Sequence, residues 1–222
     1  MRRLLVTTAC MATATIAATA AGQRPAAPGG RAAVVLDNAR VRVFKTVGAS
    51  LSGVEHRAGV VIALEDGAAG KAGDAYWTLD AGVARSPQRL ALQSARGRSD
   101  RDTGSLIIVE PKDVAVAASP NAGSKPGEAV FTGMSFKTLF ENERVTAIRA
   151  RMEIDAREGY HTHASDTLVV HLSGGAIEDT ANGTTTVNRW KHGDVEFEGR
   201  GSSHSARNVG PAVDVVLVAF KP

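Results

Sequence analysis

Apolar positions along this chain come in short runs rich in Val, Ile and Thr, bounded by Gly, Pro, Asn and Asp, and nowhere sustain a 3.6-residue period over a long window. Such runs predict strands. Asn182-Gly183, with Ile177 on one side and Thr184-Thr185-Thr186-Val187 on the other, predicts a tight hairpin, because both central positions tolerate positive φ. Turn signals recurring at roughly ten-residue intervals predict an all-β chain folded as a sandwich or small barrel, architectures that remove or protect sheet edges.

The pattern also repeats. Asp37-Asn38-Ala39-Arg40-Val41 matches Glu141-Asn142-Glu143-Arg144-Val145, and Leu106-Ile107-Ile108-Val109-Glu110-Pro111-Lys112 echoes Val216-Leu217-Val218-Ala219-Phe220-Lys221-Pro222. Trp77 and Trp190 each precede a Gly by a few residues. Agreement in order and spacing predicts a duplicated module, residues 34–112 and 138–222. A linker over 113–137, with Pro120, Gly123, Pro126, Gly127 and Gly133, joins the two.

The N-terminus reads differently. Met1-Arg2-Arg3 is a short basic region, Leu4 to Ala18 is apolar but diluted by Thr, and Ala18-Thr19-Ala20 is a small-x-small cleavage pattern. This predicts a signal peptide over residues 1–20, a spacer over 21–33, and a periplasmic or secreted mature protein without a membrane span. The formal charge of +3 falls to about +1 once Arg2 and Arg3 are gone, so the chain carries no electrostatic footprint for nucleic acid. Its single cysteine, Cys10, lies in the same leader, which excludes disulfide and thiolate chemistry from the mature chain. Serine-elbow, P-loop and dinucleotide-binding glycine motifs are absent.

Five of the six histidines fall in the second module, and three of them, His161, His163 and His204, cluster in motif-like stretches. Gly159-Tyr160-His161-Thr162-His163, followed by Thr167 and Gly174, and then Gly193, Gly199, Gly201, His204 and Asn208, resemble the two motifs of the cupin superfamily at the family spacing. The resemblance is carried by residues 138–222 and extends more weakly to 34–112. It implies two tandem jelly-roll barrels, a bicupin, with His161, His163 and His204 binding one divalent transition metal (Zn, Fe, Mn, Ni or Cu). On a strand, His161 and His163 project to one side about 7 Å apart, so both can reach one ion. The first half is expected to be degenerate and metal-free, because His56 stands alone there and Gln93 falls where a counterpart of His204 would be.

Two departures from the motifs matter. Thr167 occupies the position where the family usually carries an acidic ligand, and Asp166, one residue earlier, is aimed away by strand parity unless a bulge re-registers it. Gly199 stands where Pro is usual. Three neutral imidazoles would leave the ion's charge uncompensated, which favours an anionic small-molecule ligand. Around the expected ligands, Tyr160, Ser202 and Ser203 offer pocket hydroxyls, and His171 reads as either a core or a pocket residue. Arg149 and Arg151 alternate on one face and read either as clamps for a substrate carboxylate or as a solvated outer face. His192 reads as an exposed turn residue. The fold hosts both enzymes and binding proteins, so two functions stay open: a metal-dependent enzyme of dioxygenase or isomerase type, and a binding or sensing module with a structural metal. The missing carboxylate leans towards the second, since no general base is evident beside the metal. A homo-oligomer is compatible with either.

Overall fold

The short β-branched runs do form strands. A computed structural model describes residues 32–46, 56–67, 69–79, 104–114 and 131–222, and among these the regular structure is thirteen strands without a helix. The expected signal peptide, most of the spacer, Gln93 and the Pro- and Gly-rich middle of the linker lie outside the described residues.

The described strands form two sheets. The first contains β1 (Ala33–Asp37), β2 (Val41–Thr46), β3 (Gly59–Ala63), β4 (Ala75–Thr78) and β5 (Leu106–Pro111), in the order β1-β2-β5-β3-β4. The second contains β6 (Phe131–Glu141), β7 (Val145–Thr162), β8 (Thr167–His171), β9 (Gly175–Ala181), β10 (Thr184–Trp190), β11 (Val195–Glu198), β12 (Ser203–Asn208) and β13 (Val213–Phe220). Its order is β10-β9-β12-β7-β13-β8-β11, with β6 on the other side of β7. The path β6-β7-β13-β8-β11 has the same strand connectivity as β1-β2-β5-β3-β4.

The repeat extends to individual hydrogen bonds. Asn38 Oδ1 accepts from the backbone of Arg40 and Val41 at 2.8 and 2.9 Å, and Asn142 Oδ1 accepts from Arg144 and Val145 at the same two distances. Each Asn thereby closes the turn that starts its module. Lys112 N donates to Arg40 O and Lys221 N to Arg144 O, both at 2.8 Å. This pairing matches Lys112 with Lys221, one residue away from the alignment of the two apolar runs read in sequence. Cross-strand register also matches Trp77, opposite Val60, with Phe197, opposite Leu168, so the Trp77–Trp190 echo is a coincidence of spacing. Residues 131–137, expected in the linker, form the first part of β6, because Gly133 at φ 69 lets that strand bulge past Ala156 and keep pairing with β7.

The two sheets stack on a shared core. Val41, Val43, Val60, Ile62, Leu64, Ile107 and Val109 of the first meet Val145, Leu168, Val170, Val216, Val218 and Phe220 of the second, all nearly inaccessible to water. Arg40 crosses this junction to donate from Nε to Asp166 Oδ2 at 2.7 Å, and Asp166 Oδ1 also accepts from Arg200 N at 2.8 Å. Asp166 thus ties the halves together.

β7 is the strand that turns the corner. Its first part pairs with β13 and its last part with β12, and between them Asp155 takes a positive φ of 59°. The predicted hairpin is present: Asn182 and Gly183, at φ 52° and 74°, link β9 to β10 with Ala181 opposite Thr184.

Candidate metal centre

Alternation along β8 and β11 gives the second sheet two different faces. Leu168, Val170, Val195 and Phe197 pack into the core between the halves. Val169, His171, Glu196 and Glu198 face the other way, into a cavity of about 720 Å3, mouth included. Its opposite walls are apolar: Met134, Phe136, Met152, Ile177, Val215 and Leu217.

At one end of this barrel interior the three motif histidines come together. His161 lies near the end of β7, and His204 on β12 is its direct cross-strand partner. The ladder continues through His163, whose N–H donates to Ser202 O and whose carbonyl accepts from Gly201 N, both at 2.9 Å. His161 and His163 share a strand face and His204 sits across from the first, so the three rings converge with centroids 4.7–4.9 Å apart. One ligand atom from each lies within 4.8 Å of the others.

The tautomers are set for metal binding. His204 Nδ1 donates to Asp179 Oδ1 at 2.7 Å and His161 Nδ1 to Gly159 O at 3.0 Å, which leaves the Nε2 lone pairs free. His163 Nε2 and His204 Nε2 stand 3.0 Å apart, close to the roughly 3.3 Å edge of a tetrahedron with metal–nitrogen bonds of about 2.0–2.1 Å. Burial, reinforced by the neighbouring histidines, holds His163 down to about 4, so at neutral pH its ring is neutral and able to ligate. The donor set fits a divalent transition metal such as zinc.

Carboxylates that sequence reasoning passed over complete the surroundings. Glu158 Oε1 is 3.5 Å from His161 Nε2, and Glu198 Oε2 is 3.7 Å from His163 Nδ1. Glu198 is the cross-strand partner of Thr167, so the acid missing from that motif position is offered from the neighbouring strand. Burial raises all three glutamates that line the cavity, with nearby carboxylates adding in each case: Glu158 upward, Glu196 to about 7 and Glu198 to about 8. The premise that no acid or base stands beside the histidines is therefore corrected. The signal that could have found these acids was the alternation Val195-Glu196-Phe197-Glu198.

Several expected pocket residues lie elsewhere. Arg149 and Arg151 point away from the cavity because Ala150 and Met152, between and beside them, line it. Arg149 is bound to Asp214 at 2.6 Å and to Ala72 O at 3.2 Å, and Arg151 to Glu153 at 2.6 Å. Tyr160, 60% exposed, is on the outside of the strand that carries His161. Ser202 is exposed and donates to Gly199 O at 2.6 Å within its own turn. Thr167 is buried beside the cavity without lining it. Asp166 faces Arg40 rather than the centre. His192 is an exposed turn residue that donates to Leu172 O, and His56 is buried in the first half, donating to Arg57 O. His171 does line the cavity.

No family model and no curated protein matches the chain. Among solved structures it is similar to cupin-domain proteins. A cupin domain from Bordetella pertussis tohama i shares 21% identity, covering 41% of this chain and 96% of that one at a TM-score of 0.39. An RmlC-like cupin from Shewanella frigidimarina shares 14%, covering 50% and 92% at 0.35. A cupin superfamily protein from Desulfitobacterium hafniense shares 13%, covering 40% and 78% at 0.35.

Proposed function

We propose that this chain is an exported cupin of two tandem halves whose second barrel binds one divalent transition metal through His161, His163 and His204 and works as a metal-dependent enzyme on a small neutral molecule. The convergence of three imidazole rings, with one nitrogen of each within 4.8 Å of the others, at one end of a largely apolar cavity carries the reading. The matching strand orders of the two sheets support the tandem arrangement. The first half is the degenerate one: His56 is turned onto its own backbone, and Ala63 occupies the position equivalent to His171.

When bound, the metal would supply Lewis-acid or oxygen-activating chemistry. The chain's own residues do the rest. Asp179 and the Gly159 carbonyl fix the tautomers of His204 and His161, and Glu198 faces Nδ1 of His163. The apolar walls exclude water, and Glu196, pushed up to about 7, holds or takes up a proton inside the cavity near neutral pH. Acids of this kind favour the enzyme over the binding module.

Elemental analysis of protein from its native compartment is expected to find about one equivalent of a single transition metal, lost in His204→Ala and His161→Ala, with substrate screening by oxygen uptake on the loaded protein. Absence of metal from the folded wild type would overturn the reading. N-terminal sequencing of the same material is expected to begin near Ala21; an intact Met1 would refute export.

A further inference from the structure

His171 is the feature the metal centre does not use. It is 3% exposed, its ring is stacked on Trp190 with centroids 4.6 Å apart, and neither ring nitrogen has a hydrogen-bond partner within the protein. Glu196 Oε2 approaches Nε2 only to 4.0 Å. A bare buried imidazole is costly, and the fold does not require one, since the equivalent residue of the first half is Ala63.

Its place in the cavity is equally informative. Thr167, opposite Glu198, is at the end of β8 near the histidine centre, and His171 is four residues further, about 13 Å along the strand. Glu198, Glu196 and His171 therefore form a polar line down one wall, from the centre to the far end, facing apolar side chains. A neutral imidazole offers one donor and one acceptor, the pair that a hydroxyl answers. Four acidic side chains line the cavity, Glu158, Asp179, Glu196 and Glu198, and no lysine or arginine among the described residues does, so its walls offer an anion no cationic partner.

We propose that the far end of the cavity is a second recognition subsite, in which His171, braced on Trp190 beside Glu196, hydrogen-bonds a neutral hydroxyl carried on the apolar, ring-sized part of a ligand whose other end meets the metal centre. The proposal rests on the metal-and-cavity reading above and names the ligand class for it: an uncharged hydroxylated apolar molecule.

The test uses fluorinated probes and 19F NMR on the full-length chain at pH 7.5, with and without prior chelation. 4-Fluorophenol is expected to bind about 10-fold more tightly than 4-fluorotoluene, because only the phenol can pair with a buried ring nitrogen. It is also expected to bind more tightly than 4-fluorobenzoate. His171→Phe, which keeps the stack on Trp190, is expected to bring phenol and toluene within twofold of each other. His171→Gln, which keeps a donor and an acceptor, is expected to retain the preference and serves if the Phe variant does not fold. Loss of the preference on chelation would place the hydroxyl on the metal and overturn the subsite while leaving the metal reading intact. A preference that survives chelation in a protein found to hold no metal would support the subsite and sink the metal reading. No preference in the wild type, or an equal affinity for the benzoate, overturns the proposal.

Discussion

Replacing His171 by Phe should stabilise the fold, and by an amount that grows as the pH falls. A flat aromatic ring that can stack on Trp190 is kept, while two buried nitrogens without partners are removed. Leaving a buried polar atom unpaired costs about 1–3 kcal/mol, so a gain of about 2 kcal/mol is expected at pH 7.5. Burial lowers the folded-state value of His171 from 6.5 to about 4. Above pH 6.5 the imidazole is neutral whether folded or unfolded, and it adds no pH dependence. Between 6.5 and 4 the unfolded chain takes up a proton that the native chain refuses, so the wild type loses stability as the pH falls. The full displacement is worth about 3 kcal/mol, which widens the gap between variant and wild type to about 5 kcal/mol near pH 4. The neighbouring Glu196, raised to about 7, has the opposite dependence, losing stability as pH rises through 4.5 to 7, but it is common to both chains and cancels in the difference. Urea unfolding of the chelated proteins, followed by far-ultraviolet circular dichroism at pH 4, 5, 6 and 7.5, measures the gap directly. A variant no more stable than the wild type at pH 7.5, or a gap that stays flat with pH, would refute the reasoning.

Asp179→Ala removes the acceptor that orients His204 and is expected to weaken metal affinity about 10–100-fold with the fold intact, read by competition with a chromogenic chelator. Arg40→Ala strands Asp166, whose side chain is 11% exposed, at the junction of the two sheets, and is expected to cost about 3 kcal/mol in chemical denaturation while leaving metal content unchanged. Thr167→Glu places a second carboxylate directly opposite Glu198, so it is expected to destabilise the chain rather than tighten metal binding. Combining it with Glu198→Thr, which returns one acid to the pair, should restore most of the lost melting temperature.

The β architecture, the Asn182-Gly183 hairpin and the duplication were legible in the chain because each rests on local chemistry: β-branched runs, positive φ at a tight turn, and Asn38 and Asn142 closing the same turn twice. The histidine cluster was legible too, since His161 and His163 share a strand face by parity and the Gly193–Asn208 segment returns His204 beside them. What lay beyond reach was the identity of each face. Val195-Glu196-Phe197-Glu198 reads in isolation as apolar-in, polar-out, yet both sides of β11 are covered, one by the first half's sheet and the other by the cavity, so its acids are interior. The same ambiguity let Arg149 and Arg151 read as pocket cations, when Ala150 and Met152 hold the cavity side. Asp166 shows the limit most plainly: parity turned it away from the centre, but only the packing of the two halves could supply Arg40, 126 residues away, as its partner. Alternation along a strand determines which residues travel together, and the tertiary arrangement alone decides what each face meets.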